Sequence, residues 1–118
     1  MENKYSNFEQ RIEKFSLAVR DFCLRCKKDV INIEYIKQLF WSAGAVGANY
    51  IEANDGLGNK DKKRKIRISK KEAKESLYWL KHILVYEDGS LEETRTMLSS
   101  EASQLMLIFA AVLRKLSD

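Results

Sequence analysis

FEQRIEKFSLAVRDFCLRC, residues 8–26, is the stretch whose reading decides the fold class. Phe8, Ile12, Phe15, Val19, Phe22 and Cys26 recur at alternating spacings of four and three. At ~100° per residue this holds all six within about 40° of one line along a helix, with polar residues around the rest. Such a segment buries one stripe and leaves its other faces wet. Ser6 with Glu9 three residues on reads as a capping box at its start, and Lys27 and Lys28 mark its end.

A second stripe lies near the C-terminus. Leu91, Leu98, Ala102, Leu105, Phe109, Val112 and Leu116 share one face, preceded by Ser90 and Glu93 as another capping box. Between the two stripes, proline is absent and four of the five glycines fall between Gly44 and Gly58, so the punctuation of a β-rich fold is missing. Asp55-Gly56-Leu57-Gly58-Asn59 is the clearest loop, with Asn59 or Asp61 as the cap of the third helix, and Asp88-Gly89-Ser90 is a tight turn. We therefore expect one all-α domain over 1–118, with helices at about 7–28, 33–54, 61–86 and 91–116. Short connections favour an antiparallel up-down-up-down four-helix bundle. A chain of 118 residues, 45% hydrophobic, is large enough for one core and too small for two.

Helix 2 departs from the single-stripe pattern. Its first apolar face reads as Ile33, Ile36, Phe40, Gly44, Gly47 and Ile51, yet from Leu39 to Ala53 only Ser42, Asn49 and Glu52 carry plainly polar side chains. A helix apolar nearly all round is buried nearly all round, which a four-helix monomer does not allow. This points to a homo-oligomer. Gly44 and Gly47 each cost ~1 kcal/mol relative to Ala inside a helix, and close helix approach is the expected compensation, with a kink as the plainer reading.

Helix 3 presents three sides. Ile66, Ala73, Leu77, Leu80 and Leu84 are its expected core face; Ile68, Glu72, Trp79, Ile83 and Tyr86 form a mixed apolar and acidic one. From Lys60 to Lys74 nine Lys or Arg stand against Asp61 and Glu72, so this segment is +7 in a chain of net +4. Lys63, Arg64, Arg67, Lys70, Lys71 and Lys74 gather on one side, with Tyr78 and Lys81 extending the strip. One-sided clustering of this kind can neutralise phosphates of RNA or DNA. A solvated face that maintains solubility has the same signature, and membrane-surface binding is a lesser alternative.

Enzyme chemistry does not assemble. His82 is the only histidine and reads as a surface side chain. Cys23 and Cys26 offer two zinc ligands where four are needed, so both read as packing residues, and no Walker or dinucleotide-type glycine loop occurs. We expect no enzyme activity, cofactor, metal site or small-molecule substrate. Glu52 and Glu72 are expected to pair across helices with Lys, Arg, Asn49 or backbone groups and so fix their register. The sequence shows no secretion signal and no apolar run near the ~18 residues of a membrane span, so a cytoplasmic location without membrane contact is the default.

Gly47-Ala48-Asn49-Tyr50-Ile51-Glu52-Ala53 and Lys71-Glu72-Ala73-Lys74-Glu75-Ser76-Leu77-Tyr78-Trp79-Leu80 resemble motifs of the 23S rRNA intervening-sequence protein family, four-helix bundle proteins. The resemblance extends from the Phe8 region to Leu116. It implies a bacterial cytoplasmic protein assembled as a ring-shaped homopentamer, without established enzymatic activity and of unknown function. Asn49, Glu52, Glu72 and Trp79 match characteristic positions and carry over as structural or interface residues, to which Trp41 is added on helix 2. Lys62 and Lys63 stand where relatives often have apolar residues, which makes this strip the more basic. The sequence thus reads as a homo-oligomeric binding module, with RNA or DNA on the helix 3 strip, or alternatively as a protein scaffold with no nucleic-acid role.

Overall fold

The computed structural model describes residues 4–56 and 58–116. Four helices follow one another: α1 (Lys4–Arg25), α2 (Asn32–Ala53), α3 (Asn59–His82) and α4 (Gly89–Lys115). Connections of five or six residues force each helix back along its predecessor. Contacts run α1 to α2, α2 to α3, α3 to α4 and α4 to α1, so α1 and α3 are diagonal, as are α2 and α4. The all-α, four-helix expectation holds. Every helix begins one to three residues before its expected start and ends one to four before its expected end.

The start of α4 shows why. Asp88, not Ser90, is its cap, with Asp88 Oδ1 accepting from Leu91 N at 3.0 Å. Ser90 lies inside the first turn and accepts from Arg25 instead. Gly58 precedes α3 without a side-chain cap, so neither Asn59 nor Asp61 has the capping role expected of it. The capping box proposed at Ser6 lies outside the described side chains. Helix α3 stops at His82 because Ile83 turns extended, and the link then passes through Tyr86 and Glu87, both at positive φ (50° and 63°).

Helices α1 and α4 bury the stripes read from the sequence: Ile12, Phe15, Val19, Phe22 and Cys26 on one, Leu91, Leu98, Ala102, Leu105 and Phe109 on the other. Phe8, Val112 and Leu116 pack against their margins. Helix α2 corrects its expected face. Its buried line is Ile36, Leu39, Ala43, Val46, Tyr50 and Ala53, while Phe40 and Ile51 are 55% and 60% exposed. An all-round apolar helix has no contrast to select a face, and the line with larger side chains fills the interior. Gly47 does sit at a close approach, because a Cβ there would lie 3.3 Å from Ile12 Cγ2 on α1; one on Gly44 would meet nothing.

Helix α3 buries Ile66, Ala73 and Leu80 together with Ser69 and Ser76, and Ile83, expected on the mixed face, is buried just past the helix end. The two serines make the α2–α3 contact the most intimate in the bundle: Ser69 Oγ donates to Val46 O (2.9 Å), and Ser76 Oγ lies 3.0 Å from Ser42 Oγ. Small hydroxyls let the backbones approach and satisfy their own polarity there. Leu77 is only half-buried, and Leu84, beyond the helix end, is exposed.

One end of the bundle is clasped. Asn32 is fully buried, its Nδ2 donating to Lys27 O (2.8 Å) and Leu84 O (3.0 Å) and its Oδ1 accepting from Leu84 N (2.8 Å). It ties the α1–α2 turn to the α3–α4 link. Farther along, Arg11 grips Glu101 through two bonds of 2.7 Å, joining α1 to α4. Helix α4 has the length and composition of a membrane span, the only such helix among the described residues, contrary to the expectation that no segment would reach that limit. Its buried line and the Arg11–Glu101 pair are those of a bundle helix.

Candidate nucleic-acid interface and the aromatic face beside it

The basic strip exists in narrower form than the sequence suggested. Arg64, Arg67, Lys71 and Lys74 are exposed, about one per turn, on the side of α3 opposite the buried Ser69–Ala73–Leu80 line. Lys63 and Lys70 belong elsewhere. Both lie nearer the α4 shoulder on the helical wheel; Lys70 is half-buried, and Lys63, only 8% exposed, leaves the strip. A side chain so covered is not offered to a phosphate. Lys65 is also removed from the free charge by Glu52, 2.5 Å away across the α2–α3 contact.

Arg64 has a loose partner in Asp61 at 3.9 Å. No described residue forms a hydrogen bond or ion pair with Arg67, Lys71 or Lys74. Three cations without a partner among the described residues, and Arg64 loosely held, therefore stand in a row. Exposed and spaced by a turn, they are placed to meet an anion.

Beside the strip, on the α2–α3 side, lies a shallow cleft of about 260 Å³ lined by Gln38, Trp41, Ala45, Glu72, Glu75 and Trp79. Trp41 is 77% exposed, whereas Trp79 is half-buried. Glu72 does not pair across helices as expected. Its carboxyl is pushed up to about 7, first by burial and then by hydrogen bonding and repulsion from Glu75 one turn on, with Lys71 opposing. Glu52 does pair across helices, through Lys65, while Asn49 Nδ2 donates to Ala45 O at 2.9 Å within its own helix. Asn49 thus supports α2 locally and bridges to no acid.

Sequence reasoning missed an aromatic group at the end of α3. Tyr35, Tyr78, Trp79 and His82 gather with ring centroids 4.3–6.0 Å apart. His82, expected on the surface, is half-buried there, its Nδ1 2.8 Å from Tyr78 O. The signal lay in Tyr35, which reaches the group from α2, far off in sequence. Cys23 and Cys26 are buried free thiols, as their packing role required. Burial pushes Cys23 up to about 12 and raises Cys26 as well, which makes both poor nucleophiles at neutral pH.

A second cleft, about 460 Å³, runs between α1 and α2, with Ile12, Glu13, Ser16, Gly44, Gly47 and Ile51 among its walls.

This bundle recurs in a solved structure. The chain superimposes with a TM-score of 0.76 on the crystal structure of a protein of unknown function from the S23 ribosomal protein family of Bacteroides thetaiotaomicron. The match covers 91% of this chain and 98% of that one at 21% identity, which shows a shared fold. No family profile matches the sequence, and no curated protein matches it.

Proposed function

We propose that the protein is a non-enzymatic, homo-oligomeric binding module that presents the α3 strip to RNA or DNA. The observation that carries this reading is the row Arg64, Arg67, Lys71 and Lys74, exposed at one-turn spacing and, but for the loose Asp61 contact, without partners among the described residues. Elsewhere in the chain acids pair directly with cations, Glu52 with Lys65 and Glu101 with Arg11, whereas among the described residues the neighbouring Glu72 and Glu75 form no ion pair with the row. The outer face of α2, with Phe40, Trp41, Gly44 and Ile51, together with the Trp79 cleft, forms the subunit contact. Exposed aromatic and aliphatic side chains in one neighbourhood favour a protein neighbour over water. The resemblance to 23S rRNA intervening-sequence proteins supports a five-membered ring, in a bacterial cytoplasm that keeps Cys23 and Cys26 reduced.

Binding of labelled RNA and DNA across a salt series tests the strip. Four phosphate contacts give a slope of about −3 in log K against log salt for a single strand, so affinity falls ~50-fold between 50 and 200 mM. Changing Lys71→Glu or Arg67→Glu should flatten the slope by about one contact each; absence of binding at 50 mM salt refutes the reading. Native mass spectrometry tests the assembly. A strict monomer at micromolar concentration contradicts it, and Trp41→Glu should lower the oligomer number if α2 is the contact.

The alternative is a protein scaffold without nucleic acid, favoured by further exposed apolar side chains on α4 at Met97 and Leu107. Partners that survive nuclease treatment in a pull-down would support it.

A further inference from the structure

We infer that Tyr78 is a base-stacking platform at the end of the cationic row, and that the row's ligand is a single-stranded polynucleotide. This rests on the strip proposed above and adds the form of the ligand. Tyr78 continues the same line one turn beyond Lys74: positions 64, 67, 71, 74 and 78 alternate in steps of three and four, and at 1.5 Å per residue span ~21 Å. The residue is 55% exposed.

Its ring is braced by two neighbours and still more than half exposed. Trp79 meets it edge-on at 4.9 Å and 82°, and His82 at 4.3 Å and 40°. His82 is itself fixed by its 2.8 Å contact with Tyr78 O and by Tyr35 at 5.4 Å. A ring so propped loses little freedom when a second flat group is laid against its exposed part. Nucleobases are flat, and every base has a π-face, so stacking needs no particular sequence.

The geometry selects a single strand over a duplex. In a duplex the base faces are hidden in the stack, and only backbone and groove edges are available. Tyr78 lies on the shaft of a helix packed against α2 and α4, not on a projecting tip that could wedge between base pairs. A duplex would therefore engage the cations alone. A single strand can lay phosphates along the row and turn a base onto Tyr78.

Anisotropy titrations with a labelled 12-mer single strand, RNA and DNA, a matched hairpin duplex, and polyphosphate as a base-free polyanion separate these cases. Tyr78→Ala should weaken single-strand binding about 5- to 100-fold while leaving duplex and polyphosphate within about twofold. Tyr78→Phe, which keeps the ring, should bind as the parent does. Trp79 fluorescence should change on single-strand binding and stay constant with polyphosphate. Equal losses for every polyanion, or no loss for any with Tyr78→Ala folded by its thermal melt, overturn the platform and leave the cationic strip standing. No binding of any polyanion at 50 mM salt removes the strip and the platform together.

Discussion

Replacing Asn32 by Ala should cost the protein a large part of its stability although the residue touches no candidate site. Asn32 is fully buried and makes three side-chain hydrogen bonds of 2.8–3.0 Å, two as donor to the carbonyls of Lys27 and Leu84 and one as acceptor from Leu84 N. Alanine reproduces none of them. Each buried group left without a partner costs roughly 1–3 kcal/mol, so three lost bonds amount to about 3 kcal/mol at the least unless water enters the gap. A chain of this length is typically stable by about 6–18 kcal/mol, at 0.05–0.15 kcal/mol per residue. The unfolding entropy of about 2.1 cal/mol/K per residue comes to ~0.25 kcal/mol/K, so Tm should fall by ~12 °C or more. Scanning calorimetry with urea unfolding measures it, and Asn32→Asp, which keeps the acceptor but loses both donors, should rescue little. A fall below ~3 °C for Asn32→Ala would mean that the clasp is not a stabilising contact.

Three other outcomes follow from the same geometry. The folded Glu72 carboxyl titrates near 7, above its unfolded value, so the folded state binds more protons between the ordinary glutamate range and 7; stability should fall as pH rises through that window and level off above it. Glu72→Gln should accordingly be the more stable protein at pH 8, an advantage that vanishes near pH 4 in urea titrations. Gly44→Ala should stabilise the separate protomer by ~1 kcal/mol, since its Cβ meets nothing, whereas Gly47→Ala should gain less because Ile12 must yield. Comparing the two variants by thermal melt at low and high protein concentration also shows whether a neighbour occupies the space beside Gly44. Glu87, exposed and held at φ 63°, should tolerate Gly with a gain of up to ~1 kcal/mol, read from the urea midpoint.

What the sequence revealed depended on contrast. Helices α1 and α4 set a narrow apolar stripe against polar residues, and the structure buries those stripes. Helix α2 lacks such contrast, so its glycine line looked as good as the line through Leu39, Val46 and Tyr50, and side-chain volume decided between them. Counting serine as polar hid the α2–α3 seam, where Ser42, Ser69 and Ser76 are core residues because they are small. The wheel placed Lys63 beside Arg67, but a wheel does not say where α4 will lie, and α4 covers that shoulder. Asn32 falls one residue before the expected second helix and drew no notice in the sequence, because its clasp forms only when two turns distant in sequence meet. The same holds for Tyr35, whose ring joins Trp79 and His82 from another helix.

The row on α3 also has a cost within the folded chain. Arg64, Arg67, Lys71 and Lys74 are successive neighbours at three or four positions, the separations at which like charges on a helix repel by about 0.2–0.5 kcal/mol per pair. With so few acids facing them, that repulsion is a standing load on α3 in the unliganded protein. Added salt lightens it by screening, and a bound polyanion removes it by supplying counter-charges in place. Salt and ligand thus act alike on the fold and oppositely on each other: the ionic strength that relaxes the helix is the one that expels its ligand.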